Sequence, residues 1–122
     1  MERWIFQITP QGYGGEIGCI DYDLQNESEF EWEVYANIKN VNIGDEIKIQ
    51  CGLDQRSKKN RISQDGKMVP LLQKGVYLQG EIINVDYNKR TVTFSINERF
   101  FLKPKDPYNL GRHRGLYNES SL

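Results

Sequence analysis

Apolar and polar positions alternate along much of this chain, and the alternation predicts strands. Trp4, Phe6 and Ile8 fall on one face of the run WIFQI, with Ile5 and Gln7 on the other. Thr9-Pro10-Gln11-Gly12 ends that run, because proline removes a backbone donor and glycine allows the turn. Phe30, Trp32 and Val34 alternate with Glu31 and Glu33, a strand signature, although Ser28 with Glu31 also fits a helix capping box. Ile43-Gly44-Asp45 reads as a turn, and Glu46 to Gln50 alternates charge with Ile47 and Ile49 as a half-buried strand does. GVYLQGEIINV, from Gly75 to Val85, is the clearest strand, and Gly80 inside it predicts a bulge or a close backbone approach. Asp86 to Lys89 is a hairpin turn. Val92, Phe94 and Ile96 then alternate with Thr91, Thr93 and Ser95 on the returning strand. Phe100, Phe101 and Leu102 close the predicted core before Pro104.

Helical signals are fewer. Ile17, Ile20 and Leu24 have helical spacing within the acidic stretch from Glu16 to Gln25, which fits a short helix or an irregular crossover. A second short helix is expected over Tyr35 to Asn40. Gly52 to Val69 is long, polar and basic with no period, as functional or disordered loops are. From Lys105 onward the chain is polar with little periodicity. There is no internal repeat. About five short strands, mostly antiparallel, with one or two short helices give an α+β, mostly β class: a small, strongly bent antiparallel sheet or partly open barrel. Residues 1–104 are expected to form the domain and residues 105–122 a polar tail or the start of a linker.

Composition adds restraint. A chain of 122 residues favours one domain that folds without disulfides or metals. Its 14 aromatic residues argue against disorder. The net charge of -1 does not indicate a strongly basic nucleic-acid binder, but the charge is unevenly placed. Glu16 to Glu33 is acidic without a basic residue, whereas Arg56, Lys58, Lys59, Arg61 and Lys67 cluster further on, and Arg99 to Arg114 is basic again. Cys19 and Cys51 are too few for a disulfide framework and form no CxxC pair. The first residues have no signal-peptide core, and no run approaches a membrane span. A soluble cytoplasmic protein with buried free thiols is expected.

Catalytic sets are not visible. His113 is the single histidine and lies in the polar C-terminal stretch, so a Ser-His-Asp or Cys-His arrangement would need partners folded onto it. One histidine and two distant cysteines make no zinc site. Gly12-Tyr13-Gly14-Gly15 lacks the lysine of a phosphate-binding loop. The chain is therefore expected to be a binding domain rather than an enzyme, with no cofactor and no metal.

Four pieces in order resemble the EVE domain family. WIFQITPQGY is similar to its opening aromatic strand and proline-bearing loop. Trp32-Glu33-Val34 followed by IGDEIKI is similar to its central tryptophan strand and Gly-Asp lead-in. GVYLQGEIINV is similar to the strand after its variable loop, and TVTFSINERFFLKP to its closing strand. Where one branch has Gly-Val-Arg-Asn after the tryptophan, this chain has Val34-Tyr35-Ala36-Asn37, without the arginine. The resemblance covers roughly residues 3 to 104. It implies a PUA-like fold related to YTH domains. It also implies binding of nucleic acid, DNA ahead of RNA, with a methylated or related base taken into an aromatic pocket. Such domains occur alone or fused to restriction nucleases. The implied role is the specificity domain of a modification-dependent restriction or defence protein, with any catalysis in a fused or partner nuclease.

On that reading a flipped base needs flat faces and polar groups at its edge. Trp32 is the first candidate for stacking, with Tyr13 closing from its glycine loop and Trp4 as a further wall. Gln7, Asn37 and Gln50 are candidates to read the base edge, because amides both donate and accept. Arg56, Lys58, Lys59 and Arg61 are candidates to hold phosphates, with binding that weakens as salt rises. A tryptophan on an alternating strand is also a common core residue, and a basic loop is often only solvated. Two other readings stay open: a protein-interaction or small-ligand barrel without a nucleic-acid role, which the acidic stretch 16–33 favours, and an enzyme built on a buried carboxylate pair.

Overall fold

The structure is a computed structural model of the chain. It describes residues 1–13, 19–63, 65–111 and 113–122, with the side chain of Cys19 outside the description. Expectations for Gly14, Gly15, Glu16 and Ile17 therefore lie outside the described residues. Among the described residues six strands form one sheet: β1 (Arg3–Ile8), β2 (Glu29–Glu33), β3 (Glu46–Cys51), β4 (Gly75–Asp86), β5 (Thr91–Arg99) and β6 (Gly115–Asn118), in the order β2-β5-β4-β3-β1-β6. One α-helix, α1 (Cys19–Asn26), precedes β2, and short 3-10 turns cover Pro10–Gly12, Ile38–Asn40, Lys58–Arg61 and Glu119–Ser121. The fold is α+β and mostly β, a small bent half-barrel. The helix expected over Tyr35 to Asn40 is only the turn at its end. The long loop from Gly52 holds the turn Lys58–Arg61 and a bridge between Ile62 and Met68.

The strands follow from the alternation, with one difference. All neighbours are antiparallel except β1 and β3, which run parallel with Gln7 opposite Gln50. β1 is buried on both faces from Trp4 to Ile8, with Trp4, Phe6 and Ile8 in the core and Gln7, on the other face, under the backbone of Gly111 and His113. The Gly44-Asp45 corner sets that pairing. Gly44 has a φ of 96°, a conformation that favours glycine. The Asp45 carboxylate accepts from the Trp4 indole N–H at 3.0 Å, the Glu2 backbone N–H at 3.1 Å and the Asn42 backbone N–H at 2.9 Å. Burial acts to raise this carboxyl, but the three donors outweigh it and hold Asp45 below the usual carboxylate range.

Curvature comes from breaks in register. β3 and β4 slip between Ile49 and Gln50, and β4 and β5 slip at Gln79/Gly80 and again between Ile82 and Asn84. At Gly80 a Cβ would overlap the Ser95 carbonyl oxygen, so the bulge admits only glycine. The bent sheet wraps Phe6, Ile8, Phe30, Ile49, Leu78, Ile82 and Phe94, and Ile20 and Leu24 of α1 belong to the same core. Each fully buried side chain of this size is worth roughly 1.5–3 kcal/mol.

Residues 105–122 differ most from the expected tail. Lys105 bridges to Val76, Leu110 and Leu116 are buried, and Gly115–Asn118 pairs with β1 as the edge strand β6. The sheet bends until its two edges, β2 and β6, are joined by side chains. Arg114 donates to the Glu33 carbonyl at 3.1 Å, and the Asn37 amide donates to the Leu116 carbonyl at 2.8 Å.

Candidate functional site

An open pocket of about 460 Å³ lies at this seam. Ile8 and Thr9 enter from the end of β1, Gly12 and Tyr13 from the following turn, Asp23 from α1, Glu31 to Glu33 from β2, Tyr35 from just beyond it, and Arg114 from just before β6. Six separate stretches of chain thus meet where β1 and β2 end.

Trp32 is the half-buried centre of this site. Its ring packs on Phe6 at 5.1 Å, Phe30 at 5.0 Å and Phe94 at 5.0 Å between centroids, which fixes the indole against the core while it also lines the cavity. Tyr13 stands edge-on to it, with centroids 6.2 Å apart and planes at 83°. Two phenol–carboxylate pairs border the cavity. The Tyr13 hydroxyl donates to Asp23 Oδ2 at 2.7 Å, and the Tyr35 hydroxyl donates to Glu33 Oε2 at 2.6 Å. The Glu33 carboxylate, by that hydrogen bond and then by its charge, raises the Tyr35 phenol above its ordinary range. The Arg114 guanidinium lies over the Phe6 ring, 4.8 Å from its centroid.

The structure brings Trp32 and Tyr13 together, and it moves most other candidates elsewhere. Trp4 is 1% exposed and bonded to Asp45, so it is core and not a base wall. Gln7 and Gln50 are fully buried and bonded to each other and to the backbone of Tyr108, Gly111 and His113, so neither reads a base edge. Asn37 is exposed, with a left-handed φ of 67°, but its amide is used on Leu116 and it does not line the pocket. Arg56 is buried and ion-paired to Asp21 at 2.7 Å and Asp54 at 2.8 Å, which removes it from phosphate binding. Burial opposes its charge, but the hydrogen bonds to Asp54 and Asp21 outweigh that and keep it protonated. Arg61 is half-buried and donates to the Val69 carbonyl at 2.9 Å. Lys58 and Lys59 remain exposed. Their loop is tied to the pocket-side turn by the Gln55 N–H, which donates to Gln11 Oε1 at 3.1 Å.

Asp23, Tyr35 and Arg114 are pocket residues that the candidate set lacked. Asp23 sits in a stretch whose helix was ambiguous, and Arg114 in a segment with no periodicity. Tyr35 stands three residues after Trp32, and that spacing was the one local signal available. Among the described residues the lining includes the acidic residues Asp23, Glu31 and Glu33 and the basic residue Arg114. Among the described residues no group of three or more His, Cys, Asp or Glu side chains is placed to hold a metal ion, and no helix is long and apolar enough to cross a membrane.

No family model and no curated protein matches the chain. Among solved structures, a hypothetical protein from Leishmania major is similar over 82% of this chain and 67% of its own, with 12% identity and a TM-score of 0.44.

Proposed function

We propose that this protein is a nucleic-acid-binding module that takes one base, in a methylated or related form, into the pocket beside Trp32. The observation that carries the proposal is the convergence of Trp32 and Tyr13, far apart in sequence, on one open cavity of about 460 Å³. Small-ligand pockets commonly span roughly 300–1,000 Å³. Stacking on an aromatic ring contributes about 1–3 kcal/mol per base without demanding a particular base. The carboxylates supply what an aromatic wall lacks, acceptors for amino and imino hydrogens at a base edge. The strand backbone would stay away from the acidic residues and run over Lys58 and Lys59, whose loop the Gln55–Gln11 bond joins to the turn before Tyr13. DNA stands ahead of RNA in this reading, which draws on the EVE-like order of motifs. The same resemblance supports a cytoplasmic specificity module that works with a fused or partner nuclease.

Trp4 is fully buried, so ligand-dependent quenching of tryptophan fluorescence reports on Trp32. Single- and double-stranded oligonucleotides should quench at low salt, those with a methylated base at lower concentration than their unmethylated counterparts. Tyr13→Ala should weaken binding roughly tenfold. Absence of binding by every oligonucleotide at low salt overturns the proposal.

A second reading is favoured by the charge of the lining. Asp23, Glu31 and Glu33 suit a small cationic ligand or protein group with no nucleic acid attached. In that case tetramethylammonium or a basic peptide would bind, and nucleosides would not.

A further inference from the structure

We infer that Arg114 reads the edge of the bound base and that the base is of the guanine type, with two adjacent acceptors. This rests on the base-binding reading and names its ligand class.

The Arg114 guanidinium is fixed on two sides. Its Nη2 donates to the Glu33 carbonyl at 3.1 Å, and the group lies over the Phe6 ring, 4.8 Å from its centroid. Phe6 packs on Trp32 with 5.1 Å between centroids, so the guanidinium and the stacking ring are neighbours, and Arg114 and Trp32 line the same cavity. Nε and Nη1 have no partner among the described residues, and the side chain is exposed. A held guanidinium with unspent N–H groups, next to an aromatic platform, suits the edge of a base stacked there. Its donors lie in one plane as a fork and match a pair of acceptors, and guanine O6 with N7 is such a pair. Adenine sets an amino donor beside N7 and leaves one N–H of the fork opposed.

The main chain of β2 supplies the complement. Val34 N–H donates to the Arg90 carbonyl and Ile96 N–H to the Ser28 carbonyl, each at 2.8 Å, so the even-numbered residues of this stretch ladder with β5. The backbone groups of Glu31 and Glu33 therefore face the open edge of the sheet, where Arg114 meets the Glu33 carbonyl and where both residues border the cavity. The Glu31 carbonyl there would accept from the imino or amino hydrogens of guanine.

Three nucleosides of similar stacking area separate edge reading from stacking. Against the full chain, with Trp32 fluorescence as the readout, deoxyguanosine should bind roughly tenfold tighter than deoxyadenosine. It should bind several-fold tighter than 7-deaza-deoxyguanosine, which lacks the N7 acceptor. Arg114→Lys keeps the charge and loses the fork, so it should bring deoxyguanosine down to the level of the other two and leave those two nearly unchanged. Asn37→Gly removes the other side-chain bond across the seam, tolerates the left-handed φ and spares Arg114, so the preference should survive it. Equal binding of the three nucleosides by the unaltered protein would overturn the inference and leave the base-binding reading standing. A preference that persists in Arg114→Lys, or an equal loss for all three nucleosides there, would assign Arg114 to holding the seam and would also overturn it. Binding of no nucleoside and no oligonucleotide would overturn both readings.

Discussion

Gln50 donates from Nε2 to Gln7 Oε1 at 2.9 Å, between parallel strands and out of reach of water. The remaining groups of the two amides are spent on the C-terminal segment. Gln50 Nε2 donates to the Tyr108 carbonyl at 2.9 Å, and Gln50 Oε1 accepts from the Tyr108 N–H at 2.7 Å. Gln7 Nε2 donates to the carbonyls of Gly111 and His113, each at 3.1 Å. The pair therefore carries the chain from residue 108 to Arg114 and the start of β6. It is an anchor for the segment that supplies one side of the pocket.

Gln50→Leu should cost about 2–4 kcal/mol, because Gln7 Oε1 and both polar backbone groups of Tyr108 lose a buried partner. Hydrogen exchange should rise across residues 108–118 well before the rest of the sheet. Unchanged protection of Gly115–Asn118 would show that β6 is held by its pairing with β1 alone.

Gly80→Ala should be among the most damaging small substitutions, with a loss of about 3 kcal/mol or more, since the new methyl would meet the Ser95 carbonyl and the bulge must open. Gly66→Ala offers a comparison. No atom lies within 4 Å there, so only its φ of 80° is strained. Urea denaturation of the two variants should separate a steric cost from a conformational one.

Arg56→Met should destabilise the fold by roughly 3–5 kcal/mol, because it leaves Asp21 and Asp54 buried without a cation. The same pair gives a pH dependence. Burial acts to raise the Asp54 carboxyl, but hydrogen bonds from the Arg56 side chain and the Leu72 and Arg56 backbone N–H groups outweigh it, so its folded pKa lies below the unfolded one. Its contribution is thus complete above the ordinary carboxylate range, about pH 4, and is lost as pH falls through the lower folded value. Thermal midpoints measured between neutral pH and pH 2 should fall on the acid side. In Arg56→Met, Asp54 keeps its burial but loses that cation, so its folded value rises and the acid limb should shrink.

Cys51 should resist alkylation in the native protein. Burial first, and then the nearby Asp54 and Asp21 charges, push its thiol well above the ordinary value, so almost no thiolate forms near neutral pH. Iodoacetamide labelling followed by peptide mapping should modify Cys51 only after denaturant is added. Native-state labelling at Cys51 would show that the core around β3 opens more easily than its burial implies.

Lys58→Glu with Lys59→Glu should lower oligonucleotide affinity and flatten its salt dependence by about two phosphate contacts, with nucleoside binding unchanged. Arg61→Glu should instead act on stability, because Arg61 already serves the Val69 carbonyl. Salt titrations and melting curves on the same variants distinguish the two outcomes.

Strand identity was largely written in the local pattern. The alternation around Ile47, Ile82 and Phe94 placed β3, β4 and β5, because a strand buries every second residue whatever its neighbours are. Gly80 announced its bulge, since an interior glycine in such a run needs a backbone reason. Trp32 and Tyr13 were marked as pocket residues by aromatic character beside a strand end and a glycine loop. Local pattern did not reveal what long-range contacts decide. Gln7 and Gln50 look like edge amides until parallel pairing sets them side by side. Arg56 looks like a free cation until α1 delivers Asp21. Residues 105–122 look like a tail because β6 is only four residues long and the buried amides holding it lie more than 50 positions away. Charge at the pocket was likewise a tertiary outcome. The sequence alone showed that acids and aromatics were both plentiful. Only the bending of the sheet, which brings the ends of β1 and β2 and the lead-in to β6 to one seam, decided which of them share a cavity.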